Sequence, residues 1–193
     1  MHSKNSDPVR EALEVGVSRV LAEVEKVSAS NPVVAIDGRS GAGKTTLARL
    51  LVERWPLLGH PQLIALDSIY PGWEGLSEGS DRAYEQILYP HGRNVIGSWQ
   101  RYDWPSATYA ESHAVDPARA VVIEGCGVLT ARNARVADVR VWVSSPATSR
   151  KARALGRDGD AFRPYWEQWG QQEERHIRQN SPHELASVRV EIP

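Results

Sequence analysis

Eight consecutive residues hold the most specific chemical pattern in the chain. Gly38-Arg39-Ser40-Gly41-Ala42-Gly43-Lys44-Thr45 reads as glycine, four free positions, glycine, lysine and a hydroxyl residue. Glycines permit positive φ, so successive backbone N–H groups can turn inward around phosphate oxygens with no Cβ in the way. A helix that opens directly after the loop adds its positive end. In such a nest Gly38, Ser40, Gly41, Ala42, Gly43, Lys44, Thr45 and Thr46 surround the phosphates of a nucleotide. Lys44 then reaches the β- and γ-phosphates as a mobile charge, and the Thr45 hydroxyl, one residue on, is placed to bind Mg²⁺.

Two acids follow short apolar runs, Asp67 after residues 63–66 and Glu124 after residues 120–123. If those runs are parallel strands, both acids face the crevice beyond the strands' carboxyl ends, where ligands of open α/β sheets bind. A carboxylate beside a γ-phosphate can orient an acceptor hydroxyl and take its proton, a role that suits Asp67. A second can hold Mg²⁺ directly or through water, which suits Glu124. An acid at a strand end can also cap the next helix or meet solvent. Arg150, Arg153 and Arg157 stand at offsets of three and four, so one helix face carries all three. Two roles are open to that face. It is a lid whose arginines, Arg153 and Arg157 foremost, spread over transferring oxygens and exclude water, or a solvated basic surface. Tyr70, Trp73, Trp99, Tyr102 and Trp104 gather in one segment, where they either hold a flat or apolar substrate or pack among themselves. Arg101 and Asp103 beside them either bind polar groups of that substrate or pair with each other.

The elements that must position these residues follow from periodicity. Residues 7–28 form an amphipathic helix with Asp7 as cap and Pro8 at its first position. The continuous β-branched run 33–36 is a strand buried on both faces, and 44–55 is a helix with an apolar stripe. Runs at 63–66, 120–123, 139–143 and 188–192 supply further strands. Their alternation with helical patterns predicts a three-layer α/β/α sandwich around a mainly parallel sheet of about five strands. Residues 68–117 form a long insertion with a clear helix only at 81–88, a length that belongs to a lid or binding segment. Residues 163–178 form an amphipathic helix in which Trp166, Trp169 and His176 serve packing.

Four segments taken together resemble the uridine kinase branch of the P-loop kinases, in the phosphoribulokinase-like family. They are residues 35–45, Leu66-Asp67-Ser68-Ile69-Tyr70, Arg101-Tyr102-Asp103-Trp104 and Val122-Ile123-Glu124-Gly125. The resemblance implies Mg·ATP as phosphoryl donor and transfer to a hydroxyl of a small acceptor, a nucleoside in the uridine kinases. It further implies Asp67 as catalytic base with Lys44, Arg153 and Arg157 in the transfer machinery, and an acceptor site of Tyr70, Trp73, Arg101, Tyr102 and Asp103. Ile69 stands where that family has phenylalanine, and the histidine expected after the third segment has no counterpart before His113. A nucleoside monophosphate kinase and a kinase of another metabolite share the same loop. A nucleotide switch shares it too, but the chain has no Asp-x-x-Gly or Asn-Lys-x-Asp segment.

Bulk composition bounds the rest. At 193 residues the chain fits one domain, with 68–117 as acceptor insertion and 146–162 as lid region. Its 23 Lys and Arg against 24 Asp and Glu leave no global positive field for nucleic acid or an anionic membrane. No run reaches the length of a membrane span. The single cysteine, Cys126, and the lack of a secretion-type leader are expected of a cytoplasmic chain. A homo-oligomer is left open.

Overall fold

The structure, a computed structural model, describes residues 7–193. Asp7 caps the first helix, α1 (Pro8–Val24), by accepting the Val9 N–H at 3.0 Å, with Pro8 at its first position as expected. The strands β1 (Val33–Gly38), β2 (Gln62–Ala65), β5 (Val121–Glu124), β6 (Val139–Ser144) and β7 (Val188–Glu191) form a five-stranded sheet in the order β2-β5-β1-β6-β7. Every pairing in it is parallel. Central β1 is buried along its whole length, which is why it reads as an uninterrupted apolar run. Its alternate residues serve two cores. Val34 and Ile36 pack with α1 and with α2 (Lys44–Glu53), while Val33 and Ala35 pack on the opposite layer.

That opposite layer is built from the insertion and the C-terminal helices. A helix opens at α3 (Leu76–Arg82), continues through a π-helical segment at Ala83–Leu88, and closes in a last turn, α4 (Tyr89–His91). It therefore starts five residues before the expected position. Gly79 and Ser80 lower its intrinsic helicity, but a Cβ on Gly79 would stand 2.4 Å from the Tyr70 ring, so packing requires the glycine. An antiparallel hairpin, β3 (Gly97–Asp103) with β4 (Thr108–Val115), fills the rest of the insertion. The sequence reading leaves this hairpin as loop. Most of its side chains are exposed or half-buried, so no apolar alternation marks it. Between β6 and β7 come α5 (Ala147–Phe162), α6 (Trp166–Asn180) and the short α7 (Pro182–Leu185). Among the described residues no helix is long and apolar enough to cross a membrane.

One buried side chain ties these layers together. Asp37, near the end of β1, accepts N–H groups of Gly38 (2.6 Å) and Gly127 (3.0 Å) on Oδ1, and of Leu129 (2.8 Å) and the His176 ring (3.0 Å) on Oδ2. The Asn180 amide donates to His176 Nδ1 at 3.1 Å and to the His176 carbonyl, so the ring hydrogen lies on Nε2 and points at Asp37. A carboxamide in place of this carboxylate would aim its own N–H₂ at backbone donors. Asp37→Asn is expected to destabilise the fold by about 3 kcal/mol and lower Tm by roughly 10 °C. Thermal unfolding followed by circular dichroism checks this.

Candidate active site

The glycine loop closes into a nest between the end of β1 and the start of α2. Gly41 has φ of 77°, and a Cβ there would lie 2.1 Å from the Arg150 carbonyl oxygen, so only glycine fits. Gly43, with φ of 104°, hands the chain directly to α2 at Lys44. The loop's outer side is held from two directions. Glu173 of α6 accepts the Ser40 N–H at 2.6 Å and the Arg39 Nε–H at 2.9 Å. From α5, Arg150 donates to the Ser40 carbonyl (3.3 Å) and Arg153 to the Gly41 carbonyl (2.8 Å).

Lys44 is buried, its Nζ donating to the Arg39 carbonyl at 3.2 Å and to Cys126 Sγ at 3.4 Å. Burial alone would pull the ammonium's pKa down, but Cys126, itself ionised in the alkaline range where Lys44 would lose its proton, and Glu124, Asp67 and Glu173 outweigh it and hold the group above its ordinary value. Burial also pushes the Cys126 thiol up to about 12, against the pull of Lys44. At neutral pH Cys126 is therefore an uncharged thiol, and the three carboxylates supply the field that keeps Lys44 cationic. Glu124 ends β5 in register with Ile36 of β1 and Ala65 of β2, so sheet pairing alone brings it beside the loop. The Thr45 hydroxyl donates to Glu124 Oε1 at 2.8 Å. Burial raises the Glu124 pKa, opposed by Lys44. Two hard oxygen donors converge here with the loop, a set that suits a small divalent cation completed by phosphate oxygens and water.

Asp67 lies in the single 3₁₀ turn Leu66–Ser68 that follows β2. A cavity of about 150 Å³ runs along the nest, and one of about 620 Å³ lies beside it. Ser40, Thr45, Thr46, Asp67, Glu124 and Arg157 belong to both walls, so the two spaces meet at the carboxylates. The larger space is walled by Tyr70, Trp73, Trp104, Phe162 and Trp169. Trp104 donates its indole N–H to the Asp67 carbonyl (2.8 Å), and Tyr70 its hydroxyl to the Cys126 carbonyl (2.7 Å), which fixes both rings. Trp73 stacks on Phe162 (5.2 Å) and on Tyr165 (4.5 Å), at interplanar angles of 11° and 10°. These contacts join the end of α5 to the insertion.

The structure separates the three arginines that share a helix face. Arg150 is buried against the loop, and Arg153 is occupied by the carbonyls of Gly41 and Pro193 and by the Ser145 hydroxyl, although it still borders the smaller cavity. Arg157 borders both spaces and forms a two-pronged pair with Asp158 (2.8 and 2.7 Å). Of the expected acceptor residues, Tyr70 and Trp73 line the larger space. Tyr102 packs against Tyr109 and Trp104 without lining it. Arg101 and Asp103 are not brought into that wall. Arg101 pairs with Glu111 (2.6 Å) and with Asp103 (3.1 Å) on the hairpin surface.

Sequence reasoning passes over Asp37, Glu173 and Cys126, and takes His176 and Trp169 as packing alone. Asp37 and Glu173 act through partners more than 90 residues away, which no local pattern marks. Trp169 and Phe162 reach the cavity wall only because the turn between α5 and α6 folds back over it.

The fold is that of solved P-loop kinase structures. The chain superposes on a possible uridine kinase from Bacillus stearothermophilus with a TM-score of 0.67, at 18% identity over 94% of this chain and 98% of that one. It superposes on a provisionally assigned fructose transport system kinase from Silicibacter with a TM-score of 0.55, at 16% identity over 92% and 98%. No protein-family model matches the chain, and no curated protein matches it in sequence.

The neutral, buried state of Cys126 has a direct chemical consequence. Iodoacetamide at pH ~8 is expected to alkylate folded protein at least about a hundredfold more slowly than a free thiol, since the thiolate is the reactive form. Mass spectrometry before and after denaturation reads the difference.

Proposed function

We propose that this protein is an ATP-dependent kinase that transfers the γ-phosphoryl group to a hydroxyl of a small molecule held in the aromatic cavity. The observation that carries this reading is the shared wall: Asp67 and Glu124 stand where the phosphate nest and the aromatic space join. A donor phosphate in the nest and an acceptor against the aromatic rings would meet at this shared wall, whose two carboxylates are Asp67 and Glu124. A hydrolytic switch has no need of an enclosed aromatic space beside its nucleotide.

In this reading the acceptor hydroxyl hydrogen-bonds to the Asp67 carboxylate, which takes the proton as the new oxygen–phosphorus bond forms and the β–γ bridging bond breaks. Lys44, kept cationic by its carboxylate neighbours, balances the charge on the β- and γ-phosphate oxygens. Arg157, at the same junction, faces the transferring group. Mg²⁺, held by Thr45 and Glu124 with the phosphates, would neutralise developing charge on the donor. The aromatic wall keeps bulk water from the γ-phosphate. The fold-level likeness to a possible uridine kinase makes nucleosides the first acceptors to assay. Sugars follow, and then vitamins and amino alcohols.

ADP release with Mg·ATP and this panel tests the proposal. A strong acceptor-dependent rate is expected, and ATP hydrolysis indifferent to every acceptor, with tight binding to a protein partner, would favour a regulatory role instead. Lys44→Ala and Asp67→Asn are each expected to lower kcat/KM by about a thousandfold. Asp67→Asn should leave the calorimetric ATP affinity within about threefold of the parent, because its role begins at the acceptor. Full activity in Asp67→Asn would remove its assigned role. The raised Glu124 pKa gives a further expectation with a definite sign. The ionised form holds the metal, so Mg·ATP affinity falls as pH is lowered, and the fall begins at a higher pH than an exposed glutamate would give. Glu124→Gln should weaken Mg·ATP binding and flatten that dependence, as calorimetry across pH would show.

A further inference from the structure

A further cavity, of about 600 Å³, opens between α3, residues 130–135 and α6. Its wall brings Arg132, Arg135 and Arg175 together from separate elements, with Ser77, Gln179 and Asn180 as neutral hydrogen-bonding groups. Arg132 is committed to Asp81 and lies 4.7 Å over the Tyr84 ring. Among the described residues Arg135 and Arg175 have no carboxylate, carbonyl or ring partner, whereas Arg39, Arg150, Arg153 and Arg157 around the nest all have one. Glu74 and Asp81 are the acids of this wall, so three guanidinium groups face two carboxylates and the positive charge is in excess. The buried Ser80 hydroxyl on the same wall also lacks a hydrogen-bond partner. The space is of a size that encloses a small metabolite rather than a polymer.

His176 connects this cavity to the nest. It lines the cavity, receives the Asn180 amide on one ring nitrogen, and donates the other ring N–H to Asp37. Asp37 in turn holds the N–H of Gly38, the first residue of the glycine loop. A ligand that draws on Asn180 thus acts on the loop through three hydrogen bonds, and one that shifts His176 with α6 through two.

We propose that this cavity binds a small organic oxyanion bearing hydroxyls, namely the phosphomonoester of a polyol, and that its occupancy is felt at the glycine loop. The free forks of Arg135 and Arg175 suit the phosphate oxygens. Ser77, Gln179 and Asn180 suit the hydroxyls. The binding site itself stands apart from the kinase reading, while its link to the loop rests on the loop holding a nucleotide.

Calorimetry with glycerol 3-phosphate tests both parts. The loop also attracts phosphate, so the protein is first saturated with Mg²⁺ and a non-hydrolysable ATP analogue. Failure of that analogue to bind would count against the kinase reading and leave the glycerol 3-phosphate measurement to be made on its own. Saturable one-to-one uptake is expected, weakened about tenfold or more in the double variant Arg135→Ala/Arg175→Ala. Both side chains are exposed and unpaired, so that variant should fold with an unchanged circular dichroism spectrum and an unchanged analogue affinity. No saturable uptake, or uptake indifferent to the double variant, would overturn the site. By linkage, saturating glycerol 3-phosphate should shift the analogue's affinity by about fivefold. In His176→Gln the uptake should persist and the shift should vanish. An unshifted analogue affinity in the parent protein would overturn the link.

Discussion

A carboxylate removed from water must find its hydrogen bonds within the protein, and Asp37 finds four. They come from the glycine loop, from the segment after β5 and from α6, which lie far apart in the sequence. The donor count explains why the phosphate nest keeps a fixed position relative to Glu124. The same residue that starts the nest also pins the backbone that follows Glu124 at Gly127 and Leu129. The sheet supplies the coarse placement through register, and Asp37 supplies the fine adjustment that a loop of glycines could not maintain alone.

Charge within the site follows from the same enclosure. Lys44 is surrounded by Glu124, Asp67 and Glu173, and Cys126 next to it is neutral, so the nest's carboxylates are balanced by Lys44 together with Arg39, which pairs with Glu173, and with Arg153 and Arg157 on the wall. A polyphosphate arriving there brings more negative charge. The cation that accompanies it is therefore part of the electrostatic logic of the site rather than an accessory. The arginines divide their labour accordingly. Arg150 and Arg153 brace the outer carbonyls of the loop, and Arg157 is the one of the three that borders both cavities.

How much of this was legible in sequence depended on whether a residue's partners were near it. The five parallel strands were legible because burial on both faces forces continuous apolar runs such as Val33-Val34-Ala35-Ile36. That the loop, Asp67 and Glu124 lie together was legible because each follows a strand of one parallel sheet, whose register brings the strand ends side by side. The β3–β4 hairpin was not, since Gln100, Arg101, Glu111 and Ser112 on its exposed surface carry no alternation. The spacing of Arg150, Arg153 and Arg157 located one helix face, yet what that face touches depends on how far α5 leans on the loop, which spacing does not encode. The four ligands of Asp37 lie 1, 90, 92 and 139 residues away, so its role emerges only once the chain is folded.

The backbone of α5 contains a break that bears on timing. Gly159 adopts φ of 53° and ψ of −129°, a conformation that side-chain-bearing residues avoid, between the arginines that brace the loop and the Phe162 that stacks on Trp73. The helix is thereby two levers on one pivot. The first half is bolted to the nucleotide end by Arg150 and Arg153, and the second is held to the insertion only by ring contacts. In the proposed kinase, a swing of the second half would unstack Trp73 and uncover the aromatic chamber without disturbing the loop, so an acceptor could enter and depart while a nucleotide stays in place.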